Sequence, residues 1–213
     1  MKFKITLKID RKYGDLLPFN YQYEQSAVIY RILAQADTQY SSWLHENGYL
    51  LHERKRFKLF CYSPFIFEKV KPLKEEGCLK IIGGKAVWYI SFIPEKSTLE
   101  FIQGIFAHQS FTIGNKKYQV AFDVVGVEAI PMPQLSEEMT FVALSPICVK
   151  LHADNKTQYL SPDNPMFAEG VLKGLKARYE SIHGQPFYME DKEFSFELID
   201  KKVGCPVLCS NIN

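Results

Sequence analysis

Nine residues near the start, KFKITLKID, alternate apolar and polar almost without error. Phe3, Ile5, Leu7 and Ile9 fall on one side of an extended chain. Lys2, Lys4, Thr6, Lys8 and Asp10 fall on the other, because successive side chains of a strand point to opposite faces. Such a strand has to bury its apolar face against a second layer, and it leaves a basic face outward. The elements that follow can supply that layer. After Gly14 and Pro18, QSAVIYRILAQA sets Ile29, Ile32, Leu33 and Ala36 at helical spacing. Asp37 suits the cap of a second short helix, TQYSSWLHEN, with Tyr40, Trp43 and Leu44 as its apolar face and Gly48 as its stop. FKLFCYSPFIF, CLKIIGG and KAVWYISFI read as strands, the last two joined by a hairpin turn at Gly83 and Gly84. EKSTLEFIQGIFAHQ reads as a helix with Leu99, Ile102, Ile105 and Phe106 on one side, and YQVAFDVVGVEAI as a closing strand. The order β-α-β-β-α-β, with one extra short helix, predicts an α+β, ferredoxin-like unit over residues 1–130.

Residues 131–138, within PMPQLSEEM, read as a linker. A second ferredoxin-like (RRM-like) unit over 139–213 begins with strand TFVALSPICVKL, continues with a helix from Asn164 to about His183, and then strand EFSFELID. A full repeat needs more strands and another helix, but only KKVGCPVLCSNIN follows, so the second unit reads as incomplete or divergent at its C-terminus. A unit stopped after β-α-β leaves a sheet edge and an apolar face uncovered. The sequence therefore predicts self-association, as a homodimer through that open edge.

Bulk composition narrows the function only by exclusion. With 46% hydrophobic and 23% charged residues the chain is an ordinary globular one, and a net charge of +2 leaves nucleic-acid binding to local clusters. The five cysteines, Cys61, Cys78, Cys148, Cys205 and Cys209, are odd in number and widely spaced, as expected of reduced thiols in a cytoplasm. MKFKITLKID has no apolar leader region, and no run reaches the roughly 18 apolar residues of a membrane helix. Cys205 and Cys209 lack a matching second pair, and His45 and His52 are seven residues apart, so neither set has the spacing of a zinc site. The Gly-Gly-Lys of IIGGKAV lacks phosphate-loop spacing.

Two features could carry chemistry. Residues 52–74 hold seven basic side chains, Arg54, Lys55, Arg56, Lys58, Lys69, Lys71 and Lys74, against Glu53 and Glu68. Such a run is either a solvated loop with strand ends or a groove that tracks phosphates. Alternation along FKLFCY places Phe57, Leu59 and Cys61 on one face and Lys58, Phe60 and Tyr62 on the other. The second feature is His45, in the last turn of its short helix and off the Tyr40, Trp43 and Leu44 face. Unpaired carbonyls at that helix end would favour a protonated imidazole, and a histidine titrating near neutrality suits general acid or base work. The alternative is a surface histidine at a helix end. Tyr30 flanks the apolar stripe of its helix in the same way, as a boundary tyrosine or a functional one.

LPFNYQYEQSAVIYRIL, SSWLHENG, RFKLFCYSPF and TFVALSPICVKL, in that order and spacing, resemble the CRISPR repeat-processing endoribonucleases, the sixth numbered Cas family of the RAMP superfamily. The resemblance runs from residue 1 to about 199. It implies tandem ferredoxin-like units and cleavage of precursor CRISPR RNA within its repeats, with no metal or other cofactor. It implies repeat RNA, and an interference complex, as partners. Carried over residue by residue, it makes Tyr30 of SAVIYRIL, His45 of SSWLHENG and Lys58 of RFKLFCYS the catalytic set, with His52 of LLHERKR as a rival histidine. Arg54, Lys55, Arg56, Lys69 and Lys71 become the RNA-binding residues. Two other readings keep the fold and drop the chemistry: a non-cleaving RAMP-type RNA-binding subunit, and a protein-interaction module. The chain departs from the family in one respect. No glycine-rich loop lies near its C-terminus, where Gly170 and Gly204 stand isolated.

Overall fold

A computed structural model describes residues 1–51, 55–136, 138–145, 147–153 and 156–188. The chain divides into two compact units, Met1–Phe141 and Val142–Asn213. The first contains β1 (Lys2–Asp10), β2 (Leu16–Pro18), α1 (Gln22–Ala36), α2 (Thr38–Glu46), β3 (Tyr49–Leu51), β4 (Lys55–Phe57), β5 (Phe60–Tyr62) and β6 (Ile66–Phe67). It continues with β7 (Val70–Leu73), β8 (Cys78–Ile81), β9 (Lys85–Phe92), α3 (Glu95–Ala107), β10 (Ser110–Gly114) and β11 (Gln119–Ile130).

The main sheet has the antiparallel order β10-β11-β1-β9-β5, with β6 also on β9. Four of its strands, β11-β1-β9-β5, follow the chain order fourth, first, third, second, with α1 and α3 as the two helices. This is the ferredoxin-like arrangement expected from the element order. Central β1 buries Phe3, Ile5, Leu7 and Ile9, as its alternation requires. These meet Ile29, Leu33 and Val28 of α1 and Phe101 and Ile105 of α3 in one cluster. Phe65 is its aromatic hub: its ring lies 4.8 Å from that of Phe122, 5.5 Å from Tyr21 and 5.6 Å from Trp88. Each such fully buried large apolar side chain contributes roughly 1.5–3 kcal/mol.

Several local expectations change. Gly83 and Gly84 do not join a hairpin: β8 pairs with β2 and β7 in a separate three-stranded sheet, while β9 lies in the main sheet. The crossing between the sheets is fastened by Glu68, whose Oε2 accepts from the Gly84 and Lys85 amides, and by Arg11, which donates to the carbonyls of Ile81, Ile82 and Gly83. The strand expected over 57–67 is broken, because Leu59 takes φ 55°. Its side chain is buried, and Cys61 of β5 is exposed. The helix α3 turns a different side inward. Ser97, Thr98, Phe101, Gly104 and Ile105 are buried, while Leu99 and Phe106 are exposed. Gly104 explains the rotation: a Cβ there would stand 1.8 Å from the Ile32 carbonyl oxygen of α1.

The second unit has a hairpin of β12 (Val149–Ala153) and β13 (Lys156–Leu160), then α4 (Met166–His183). The strand expected from residue 140 begins only at Val149, and β13 was not foreseen. Asn164 Oδ1 accepts from the Met166 amide at the start of α4, and Gly184, with φ 66°, ends it. Gly170 lets α4 settle on β12, since a Cβ there would lie 2.3 Å from Val149 Cγ1. The strand EFSFELID and the tail after it lie outside the described residues.

Gly104→Ala should lower unfolding free energy by about 1–3 kcal/mol, the usual cost of overpacking. Gly84→Ala, with nothing within 4 Å of its added Cβ, should leave the urea midpoint of the protein nearly unchanged.

Candidate active site

The site is built at the end of α2. Asp37 starts that helix, its Oδ1 accepting from the Tyr40 amide at 2.8 Å. The Tyr40 amide bond, and next the Lys96 ammonium, hold the Asp37 carboxyl below the usual aspartate value. Gly48, with φ 67°, ends α2, as the sequence predicts. Ser41, buried in the middle of α2, donates to the Tyr30 carbonyl at 2.8 Å and so locks α2 to α1. The exposed His45 ring then meets the Tyr30 ring edge-on, with centroids 4.9 Å apart and planes at 85°.

Tyr30 is held from behind by Phe60 of β5, at 5.8 Å and 75°. Tyr62 stacks beside Phe60 at 6.3 Å and donates to the Gln22 carbonyl at 3.1 Å. Partial burial, and then the neighbouring Tyr62, raise the Tyr30 hydroxyl above the usual tyrosine value. Tyr30 is therefore a protonated hydroxyl at neutral pH, able to donate a hydrogen bond, rather than a phenolate base.

Lys58 comes to the same place by an unexpected route. Its ammonium donates to the carbonyls of both Leu44 and His45, at 2.5 Å each. Arg56 donates to the Glu46 carbonyl at 2.8 Å, and the Trp43 carbonyl accepts from the Asn47 and Gly48 amides. The carbonyls at this helix end are thus occupied, which corrects the expectation that they stand unpaired to favour a charged His45. Gly48 makes room for the arrangement: a Cβ there would lie 2.7 Å from the Phe57 oxygen and 3.2 Å from Lys58 Cδ. An ammonium has three donors, and the third N–H of Lys58 has no partner among the described residues. Partial desolvation, and then the Arg56 charge, lower the Lys58 pKa from the usual lysine value.

The structure brings the Tyr30 and His45 rings into contact and ties Lys58 and exposed Arg56 to the same helix end, while Lys55 is exposed on β4 opposite Leu51. Lys71 is exposed on a different sheet, opposite Lys80, and Lys69 is exposed in the bend just before that strand. Arg54 and His52 lie outside the described residues. Sequence reasoning missed Ser41 and Phe60 as supports. Ser41 signals itself only as a small polar residue on the buried side of a helix. Among the described residues no three His, Cys, Asp or Glu side chains gather as a metal-binding group. No helix among those residues is long and apolar enough to cross a membrane.

The chain has relatives among known proteins. Residues 16–122 match the family described as CRISPR-associated protein Cas6, N-terminal, and residues 130–206 match its C-terminal counterpart. The chain is 27% identical over 200 residues to CRISPR-associated endoribonuclease Cas6 1 of Methanocaldococcus jannaschii, covering 92% of this chain and 72% of that protein. A CRISPR-associated endoribonuclease Cas6 of Pyrococcus furiosus is 24% identical over 204 residues, at 95% and 71% coverage. Among solved structures, the product of a Cas6-related gene from Pyrococcus furiosus superposes with TM-score 0.75 at 26% identity, covering 94% of this chain and 77% of that one. A RAMP protein that binds different RNA substrates superposes with TM-score 0.68 at 25% identity, at 87% and 73% coverage.

Asp37→Ala should lower the thermal midpoint at pH 7, because α2 loses its cap. The folded Asp37 value lies below the unfolded one. Its stabilisation is therefore whole above the ordinary carboxylate pKa and drains as pH falls through the lower folded value. Thermal scans from pH 7 to pH 3 should show the gap between wild type and variant closing at the acid end.

Proposed function

The chain belongs to the Cas6 family of CRISPR-associated proteins, and on that premise we propose that it is an endoribonuclease cleaving precursor CRISPR RNA within its repeats. The observation that carries the proposal is the meeting of the Tyr30 and His45 rings at an exposed helix end that Lys58 also grips. The relatives named endoribonuclease support it further.

The nucleophile in this reading is the RNA's own 2′-hydroxyl, which sits beside the scissile phosphate. Attack within the molecule draws its advantage from proximity and needs no metal to generate the nucleophile. The 2′-oxygen bonds to phosphorus, the bond to the 5′-oxygen breaks, and the products are a 2′,3′-cyclic phosphate and a 5′-hydroxyl. His45 is exposed enough to take the 2′-hydroxyl proton as base or to give one to the departing 5′-oxygen as acid. Tyr30, held protonated, donates to an RNA oxygen and orients it. Lys58 has two tasks. Two of its N–H groups fix the end of α2 and hence the His45 backbone, and the third can face the extra negative charge of the pentacovalent phosphorus. Arg54, Lys55 and Arg56 would track phosphates of the RNA, with Lys71 on its separate sheet and Lys69 just before that strand as a second contact. An RNA-holding role without cleavage is the other reading, favoured by the likeness to the RAMP protein that binds different RNA substrates.

Incubating the protein with its repeat RNA in excess EDTA should give one discrete cut. His45→Ala should slow single-turnover cleavage by roughly 10²–10⁴, the range of general acid or base catalysis. Tyr30→Phe should slow it by about tenfold, the worth of roughly one hydrogen bond, with RNA affinity retained. Binding without any cut by the wild type would select the RNA-holding role.

A further inference from the structure

On the other flank of α2, about 200° around the helix from His45, Trp43 forms a wall of an open pocket of about 430 Å³. The pocket is lined by Asp37, Gln39, Tyr40, Trp43, Tyr49 and Lys96. The sequence expects Trp43 inside with Tyr40 and Leu44. Those two are buried, but Trp43 is 39% exposed. Its indole is nonetheless rigidly mounted. Tyr40 stacks on it at 5.7 Å and 23°, and Tyr49 stands edge-on at 5.3 Å and 87°. The Tyr40 hydroxyl is bonded in turn to Ser97 and to the Tyr49 hydroxyl.

The charges beside this wall narrow the ligand. Lys96 sits over the Tyr40 ring at 4.7 Å and pairs with Asp37 at 3.1 Å. The place a cationic ligand would take on the Tyr40 ring is therefore already filled. The Asp37 charge is neutralised, so a phosphate nearby is not repelled. What stays exposed in the pocket is part of the Trp43 indole, with the exposed amide side chain of Gln39 also in its lining. A planar heterocycle with hydrogen-bonding edges fits that surface, and rigid exposed aromatics are the usual platform for unstacked bases. Because α2 also carries His45, a strand crossing the helix passes from one site to the other within a few nucleotides.

We propose that this pocket holds one unpaired base of the bound RNA, stacked on Trp43 and a few nucleotides from the cut. The inference rests on the reading that the chain binds repeat RNA, and its test separates the two. The chain has two tryptophans. Trp88 is fully buried, so Trp43 alone can report contact at the surface. The probe is repeat RNA with a 2′-deoxy residue at the cleavage position, which binds but cannot be cut.

The expected result is saturable quenching of the wild-type fluorescence. Trp43→Ala should weaken binding by roughly five- to a hundredfold, the cost of losing one stacked base. Trp43→Phe, which keeps a stacking ring and guards against misfolding, should recover most of it. With cleavable RNA, the saturating single-turnover rate of Trp43→Ala should stay within about threefold of wild type, a loss of binding and not of chemistry. One abasic position along the RNA should weaken wild-type binding and leave Trp43→Ala unaffected. Full binding and cleavage with no quenching, and with Trp43→Ala indistinguishable from wild type, would overturn the pocket and leave the endoribonuclease reading intact. Quenching by tetramethylammonium but not by RNA would mark a cation site and also overturn it. Absence of RNA binding in the wild type at low salt would overturn both readings.

Discussion

Backbone contact between α1 and α3 sets the position of everything above the main sheet. At Gly104 the two helices approach so closely that the α3 Cα faces the Ile32 carbonyl with no room for a side chain. The close approach brings both helices down onto the apolar face of β1 and β9, and it fixes the rotation of α1. That rotation sends Ile29 and Leu33 into the core and leaves Tyr30 half-buried at the margin, against Phe60. The α2 helix is then tied to α1 through Ser41. The placement of His45 beside Tyr30 is thus inherited, step by step, from a contact among side chains and backbone with no catalytic part.

The end of α2 shows how groups proposed for chemistry can also complete a fold. A helix ends with carbonyls that have no partner within it, and here two basic side chains from the following segment supply the donors. Lys58 reaches them because Gly48 clears its path and because Leu59 adopts a left-handed backbone, at a cost of about 1–2 kcal/mol for a residue with a side chain. The buried Leu59 side chain and the bond from the Ile93 amide to its carbonyl hold it there. A strained residue next to a cation beside a phosphate-binding candidate is the arrangement expected where geometry matters more than local comfort.

Much of this was legible in the residues. The alternation of β1, the Asp37 cap and the Gly48 stop each have a local cause, and each appears where the sequence placed it. The resemblance supplied Tyr30, His45 and Lys58; the Tyr30 and His45 rings touch, and Lys58 bonds the main-chain carbonyls of Leu44 and His45. What was hidden depended on partners. The broken strand at Leu59 could not be seen, because a leucine does not advertise a positive φ. The inward side of α3 was misjudged, since small Ser97, Thr98 and Gly104 mark it while larger Leu99 and Phe106 face out. Gly83 and Gly84 have hairpin chemistry, yet β8 finds its partners in β2 and β7. The occupied carbonyls of α2 were invisible because Lys58 is 14 and 13 residues from the ones it caps.

The strand order also has a consequence in time. β1 lies at the centre of its sheet between β9 and β11, yet it is the earliest strand of the unit to be made. Its second partner ends at residue 130, so synthesis of the intervening chain takes on the order of ten seconds at ribosomal speeds. For that interval a strand with four buried apolar side chains has an unmatched edge. The basic residues spaced through it, Lys2, Lys4 and Lys8, discourage nascent chains from pairing with one another in the meantime, since lysine on an open strand opposes edge-to-edge association. The same lysines that look like a solvated face in the finished sheet act as gatekeepers during its birth.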